Sequence, residues 1–416
     1  MRCLTIALIF LGFGAGPALA QTDLFGPDTL SGIIDLRLGV SSGESSWLDN
    51  GLGKTRFGGA NTGRASVKGE IASANLVWNP SIGDVSLVLD MEGGASQSHG
   101  VDLSQAYLQY KPAPTNALRV SARAGFFYPP ISMEHQGYAG GAWVVANTIT
   151  PSAINGWVGQ EVKVVGLEGS ARLTVMDNEI GATVGVFGHD DTAATLLALR
   201  GWTLDDVTST ATDRLPLPPL NSFLAVRQAP FTEPVRELDG RAGYYGRLDW
   251  RLPSRVALNA VYYDNNGDMT SVDQRQWAWE TRFLNLGGRF DVDRHTWLIG
   301  QAMSGSTYMG FKRGPSVWVD VDFASAYLMA VRGYGRSTVS VRADVFSTSN
   351  QPFAAPERYS ETGWAATTDY KFALTQNVAL LGEVLHVWSD RPSRILTGSD
   401  PRQSQTTFQA SARISF

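Results

Sequence analysis

The sequence predicts an all-β chain, a transmembrane antiparallel β-barrel of about sixteen strands. Three observations carry this expectation. From Phe408 the chain reads Phe-Gln-Ala-Ser-Ala-Arg-Ile-Ser-Phe, so Phe408, Ala410, Ala412, Ile414 and Phe416 share one face of an extended strand and Gln409, Ser411, Arg413 and Ser415 the other. The same two-residue rhythm returns through most of the chain, and 44 Gly with 12 Trp, 13 Tyr and 18 Phe favour many short strands over helices. Lastly, Met1-Arg2, the apolar run Leu4 to Phe13 and the small-residue site Ala18-Leu19-Ala20 read as an export signal over 1–20, and no later run is long and apolar enough for a membrane helix. Residues 21–416 are then one barrel domain.

Composition narrows the function classes. The formal charge of −5 becomes −6 once Arg2 leaves with the signal, and both signs are spread along the chain, so nothing forms a basic patch for nucleic acid. The single cysteine, Cys3, lies in the signal, so the exported chain must be held by backbone pairing and burial rather than by disulfides. No cofactor is implied. None of the five histidines has metal-ligand spacing.

Taken in order, strand one lies near 31–40, with Ile34, Leu36, Leu38 and Val40 on one face and Asp35 and Arg37 on the other. Strands two (64–78) and three (84–95) are joined by Asn79-Pro80-Ser81-Ile82-Gly83; strands four (100–111) and five (117–127) by Lys111-Pro112-Ala113-Pro114. A long connection over 128–156 leads to strand six (157–175), and Asp177-Asn178-Glu179 turns it into strand seven (180–189). The irregular stretch 190–239 contains Leu215-Pro216-Leu217-Pro218-Pro219, which cannot sit inside a sheet. Strands eight to sixteen follow at 240–252, 255–265, 276–291, 295–309, 317–333, 337–347, 358–374, 378–390 and 403–416.

Short connections follow the even strands and mostly longer ones the odd strands, with the link after strand three an exception. That is the layout of a barrel with short periplasmic turns, longer extracellular loops, 190–239 among them, and both termini periplasmic. Closure between first and last strands would leave no edge unpaired in lipid. In strands five, eight, twelve, thirteen and sixteen the charges keep to one parity, which matters because an Arg on the lipid face at mid-bilayer costs roughly 2–4 kcal/mol. Trp78, Phe126, Trp277, Trp364, Trp388 and Phe416 near strand ends are candidates for interfacial girdles.

The closing strand resembles that of Gram-negative outer-membrane β-barrels, which typically end on a terminal Phe preceded by alternating apolar residues. Arg123-Ala-Gly-Phe-Phe-Tyr-Pro-Pro-Ile-Ser-Met-Glu134, with Gly159-Gln160-Glu161 beyond the loop, is similar to the strand-loop-strand of the phosphate-selective porin family and its Gly-x-Phe-x-x-Pro-x-x-x-Glu pattern. That resemblance implies a porin in the outer membrane, commonly a homotrimer, whose loop after strand five narrows the lumen. Here that loop is 128–156; it holds Glu134, His135, Gln136, Tyr138 and the pair Gly140-Gly141. The family lines its loop with basic residues, whereas this one has no Lys or Arg.

Sixteen strands leave a water-filled lumen, and selectivity then rests on the narrowest ring. Candidate pore-lining or constriction residues are Glu134 and His135 on the loop, Glu161 just after it, Arg119, Arg123 and Lys163 on the flanking strands, and Arg247, Arg251, Arg342, Asp344 and Arg413 on later polar faces. Each wall residue also has a plainer role as a solvated side chain, and Glu134 suits equally a tie to a wall arginine or contact with solute. The leading function is passive diffusion of small hydrophilic solutes or ions, with outer-membrane lipid as the other partner and no catalysis. The alternative is a barrel enzyme of phospholipase or protease type, for which His386 and His189 are the histidines near strand ends, although no Gly-x-Ser-x-Gly elbow occurs. A soluble exported β protein would instead extract without detergent.

Overall fold

The computed structural model describes residues 24–60, 64–114, 116–135, 141–314, 316–350 and 359–416. The signal at 1–20 and the loop residues Gln136, Tyr138 and Gly140 lie outside them. Sixteen long antiparallel strands run in sequence: β1 Leu30–Ser41, β2 Ser66–Trp78, β3 Val85–Gly93, β4 Asp102–Tyr110, β5 Leu118–Phe127, β6 Val164–Val175, β7 Asn178–Gly188 and β8 Gly243–Leu252. The second half comprises β9 Val256–Asp264, β10 Glu280–Asp291, β11 Thr296–Arg313, β12 Ser316–Tyr334, β13 Ser337–Asn350, β14 Glu361–Ala373, β15 Val378–Asp390 and β16 Arg402–Ser415. Each pairs with the next, and β16 returns to β1 with Ile414 opposite Ile34 and Phe408 opposite Val40. Phe416 and Gly32 exchange both backbone hydrogen bonds, so the seam carries no unpaired edge.

Two-residue alternation decides which way each side chain points. On β13, Val341 is 52% exposed on the outside of the barrel and Arg342 is 1% exposed on the inside. Leu36, Leu38, Leu167, Val184, Leu248, Leu286, Leu328 and Phe408 lie outward in the same way, a belt that only hydrocarbon suits. Trp78, Tyr110, Trp250, Phe290, Tyr334, Tyr370 and Phe416 ring the short-turn end of this belt, whereas Trp277 and Phe126 are buried and belong to no girdle. A cysteine at Val341 is expected to react with a membrane-soluble maleimide and not with a charged one; labelling by the charged reagent would turn the barrel inside out.

Strand β12 departs from the expected parity. Val319, Val321 and Phe323 point inward and are buried, while Asp320 and Asp322 face outward beyond the apolar belt, opposite Tyr308 and Ser306. The reason is what fills the barrel. Strand six does not begin at 157: Ser152 caps a helix, α1 Ala153–Glu161, by accepting from the Asn155 N–H, and β6 starts only at Val164. All nine residues of α1 are buried, because the helix lies inside the lumen. The stretch 190–239 also turns inward through a short helix, α2 Thr195–Leu199, and Trp202 and Leu204 join Ile154, Trp157 and Val158 in one apolar cluster with Phe283, Met303, Phe323 and Phe346 of the wall.

Candidate functional site

A buried arginine, Arg342, ties the loop after β5 to the wall beside the Glu383 carboxylate, which accepts from the Ile149 and Thr150 N–H groups at 2.9 and 3.0 Å. The Arg342 guanidinium donates to the Thr150 and Pro151 carbonyls at 2.7 and 2.8 Å, to Asp344 at 2.8 Å and to Glu134 at 3.2 Å. Glu134 in turn accepts from the Ser152 N–H at 2.9 Å and from the Ser152 hydroxyl and Asn155 amide at 2.5 Å each, so it braces the start of α1. Asp344 accepts from the Ala153 N–H at 3.2 Å. None of these three side chains leaves a buried polar atom unpartnered. Glu134 is thus bonded to a wall arginine, the contact that the first of its two roles requires.

Arg413 repeats the device on the other side. It bonds Asp35 at 3.0 Å, the Val145 carbonyl at 2.7 Å and the Thr148 carbonyl at 3.2 Å. Further from the loop, Arg37 and Arg56 bind Asp206 from the 190–239 stretch at 2.8 and 2.9 Å. Burial alone would raise the Asp206 carboxyl, but these two guanidiniums hold it well below the usual carboxylate range. Nothing in the local sequence around Asp206 marked it, since the signal is a contact between residues 150 and more apart.

Glu161 and Lys163 are not wall residues. The Glu161 carboxylate accepts from the Leu196 and Leu197 N–H groups at 2.7 and 3.1 Å and from the Trp157 indole at 2.8 Å, joining α1 to α2. Lys163 donates to the Ser209 carbonyl, and burial pulls its ammonium down to about 8 despite the nearby Glu92 and Asp90. Burial likewise pushes the Glu161 carboxyl up to about 7, from an ordinary 4.5. An acid raised in the docked state favours docking when protonated. The benefit is full below about 4.5 and lost as pH rises through about 7, on the order of 3 kcal/mol. Protection of 190–239 from external protease should accordingly increase from pH 8 to pH 5, and Glu161→Gln should reduce that dependence to the part carried by Asp190 and Asp191, whose carboxyls burial also raises.

At mid-height the inward wall is buried from β9 round to β4, at Val261, Asn285, Met303, Tyr327, Arg342, Thr367, Glu383, Arg37, Asn75, Asp90 and Gln105. The accessible wall is the remaining strip on β5 to β8. On it Arg123 donates from Nη2 to Glu168 at 2.8 Å, has its Nε 2.8 Å from the other carboxylate oxygen, and lies over the Phe127 ring at 4.0 Å, with the Tyr245 hydroxyl donating to Glu168 at 2.7 Å. Toward the short-turn end the strip opens into a polar cavity of about 550 Å³, bordered by Ser132, His135, Arg172, Arg247, Arg251 and Arg289 among others. An adjoining recess of about 260 Å³ is bordered by Arg119 and Arg172.

Of the candidate residues, then, Arg119, His135, Arg247 and Arg251 border this vestibule, and Arg123 stands at its head. Arg247 chelates Asp249 at 2.9 and 3.0 Å and donates to the Pro130 carbonyl, and His135 stacks on Trp143 at 4.4 Å while bonding the Ser132 hydroxyl. Arg251 stands 3.9 Å from Glu179. Sequence reading missed Arg172 and Arg289, although both sit at inward parity beside short turns. His386, on the outer face, has Nδ1 at 2.8 Å from the Thr406 hydroxyl and Nε2 at 3.3 Å from the Ser404 hydroxyl, and His189 accompanies Glu237 at the barrel mouth.

No protein-family model matches the sequence, and no curated protein does. Among solved structures, the anion-selective porin from Comamonas acidovorans matches over 93% of this chain and 99% of its own at 12% identity, with a TM-score of 0.52. The outer membrane channel DcaP of Acinetobacter baumannii matches over 93% and 96% at 11% identity, with a TM-score of 0.53. The fold is that of an outer-membrane porin. At such identities the likeness is one of fold, and with the outward apolar belt it places this chain in an outer membrane.

Proposed function

We propose that this porin-like barrel is a narrow channel for small hydrophilic solutes or ions, with short turns and termini in the periplasm, long connections outside the cell, and assembly as a homotrimer. The observation that carries it is the polar strip on β5 to β8, which leads from the arginine-bordered vestibule up to the Arg123–Glu168 pair. Whereas the inserted segments bury the inward wall from β9 round to β4, this strip stays accessible. Because the plug covers most of the cross-section, conductance should be well below that of an open sixteen-stranded barrel. Refolded protein in a planar bilayer is expected to give small, discrete steps, with a reversal potential in a salt gradient that reports the ion preference. Absence of steps from both the wild type and a variant whose loop tie is cut would sink the reading.

The Ser404–His386 contact supports a second reading, a hydrolase acting at the outer surface. Its Nδ1 partner is the Thr406 hydroxyl and not a carboxylate, so nothing there stabilises an imidazolium as a triad acid would. Ester hydrolysis abolished by His386→Ala would reverse the order of the two readings.

A further inference from the structure

The two rims of the barrel carry opposite charge on their outer side. At the end of the long connections, Asp264, Glu280, Asp320 and Asp322 stand on the outward faces of β9 to β12, with Arg282 as the cation between them. At the short-turn end of the same sector the sign reverses. Arg255, Arg294, Arg332 and Arg336 are all exposed there, with Asp293 beside them. Arg332 donates to the Thr296 hydroxyl at 2.8 Å and lies 3.7 Å from Asp293, and Arg336 donates to the Ala373 carbonyl at 2.7 Å. Arg255 and Arg294 differ: among the described residues neither has a carboxylate within ion-pair distance.

Both stand on turns, off the lumen wall, and frame a cleft of about 710 Å³ that Ser254, Phe290, Val292 and Trp297 also border. Phe290 and Val292 are exposed and, with Leu258 and Leu286, carry the outward apolar belt down to the cleft. The Arg255 carbonyl accepts from the Asp291 N–H at 2.8 Å, which fixes that turn against β10. On the side toward the lumen, Arg289 and Asp291 neutralise each other at 2.8 Å. Two unneutralised guanidiniums directly beyond a hydrocarbon-facing surface suit an amphiphile with an anionic head, whose phosphate oxygens take the forked donors while its acyl chain lies along the belt. A free phosphate would have no use for Phe290 or Val292, and a zwitterionic head would bring an ammonium against the arginines. The plainer account, turn arginines solvated by water, gives the sign no reason to reverse from one rim to the other.

We infer that this cleft docks an anionic phospholipid of the phosphatidylglycerol class from the inner leaflet of the outer membrane. The choice of leaflet rests on the proposed topology; the docking does not rest on conduction. The test is native mass spectrometry of refolded protein in detergent, titrated with phosphatidylglycerol or phosphatidylethanolamine of identical acyl chains. Arg255→Gln, Arg294→Gln and the double variant are compared with Arg402→Gln, an exposed arginine at the opposite rim. All three arginines are exposed, so the variants should fold, as heat-modified electrophoretic mobility will report. Phosphatidylglycerol with a photoreactive acyl chain, in vesicles of phosphatidylethanolamine, then shows where the chain lies.

Wild type and Arg402→Gln are expected to prefer phosphatidylglycerol about twentyfold and to cross-link on β9 and β10. Each single substitution should weaken phosphatidylglycerol binding about fivefold, and the double should abolish the preference. Equal binding of the two lipids by the wild type, an undiminished preference in the double variant, or cross-links confined to other strands overturns the site. Displacement of the lipid by an equal concentration of glycerol phosphate overturns it as a lipid site, and a preference for lipid A over phosphatidylglycerol overturns both the occupant and the proposed topology. Phosphatidylglycerol binding with no conductance steps would remove the channel reading and leave the cleft, whereas steps without the lipid preference would do the reverse.

Discussion

Arg342→Ala should both destabilise the barrel and widen its conductance several-fold. The substitution leaves Glu134 and Asp344 buried without their cation, a situation that costs about 3–5 kcal/mol when one partner of a buried pair is removed. It also removes the donors to the Thr150 and Pro151 carbonyls, leaving Ser340 and Asp344 as the loop's contacts on β13. The loop then has two ways to relieve the stranded charges: unfold with the barrel, or swing into water. Single-channel recordings distinguish these outcomes from a loss of folded protein, which gel mobility reports. Unchanged conductance in folded Arg342→Ala would mean that the remaining contacts, those of Arg413 and Glu383 foremost, suffice to hold the loop.

The second large effect is expected at Trp157. Its ring lies 5.4 Å from Phe283, 5.3 Å from Phe323 and 5.9 Å from Trp202, in edge-to-face arrangements that link the wall to both inserted segments. Truncation to alanine should cost about 3–5 kcal/mol through lost burial and the cavity left behind. Unlike the arginine, it removes no charge. Its effect on conductance should therefore be weaker than its effect on thermal stability, provided that the void stays apolar and dry. Thermal unfolding followed by circular dichroism, beside the same bilayer recordings, gives both numbers; a conductance gain matching that of Arg342→Ala would show that the void fills with water.

The wall was legible because strand alternation is local. β15 begins and ends where its sequence pattern does, at Val378 and Asp390, and β1, β5, β8, β13 and β16 present the expected faces. The plug was not legible, because every contact that places it is distant in sequence. Gly-Trp-Val-Gly-Gln-Glu reads as readily as the start of a strand as it does as a helix, and the deciding partners, Glu134, Asp344 and Leu196, lie elsewhere. β12 was inverted for the same reason. Val319, Val321 and Phe323 have the alternation of a lipid-facing row, and only the apolar fill opposite them turns that row inward.

The separation between Glu134 and Arg342 is 208 residues, and that between Val145 and Arg413 is 268. Neither tie can form before β13 or β16 respectively is in place. The wall is expected to close around a hydrated interior first, with drying of that interior later and slower because its contacts span most of the chain. Refolding into lipid should accordingly show barrel formation by circular dichroism ahead of a separate, later burial of Trp157, and simultaneous phases would contradict this sequence of events.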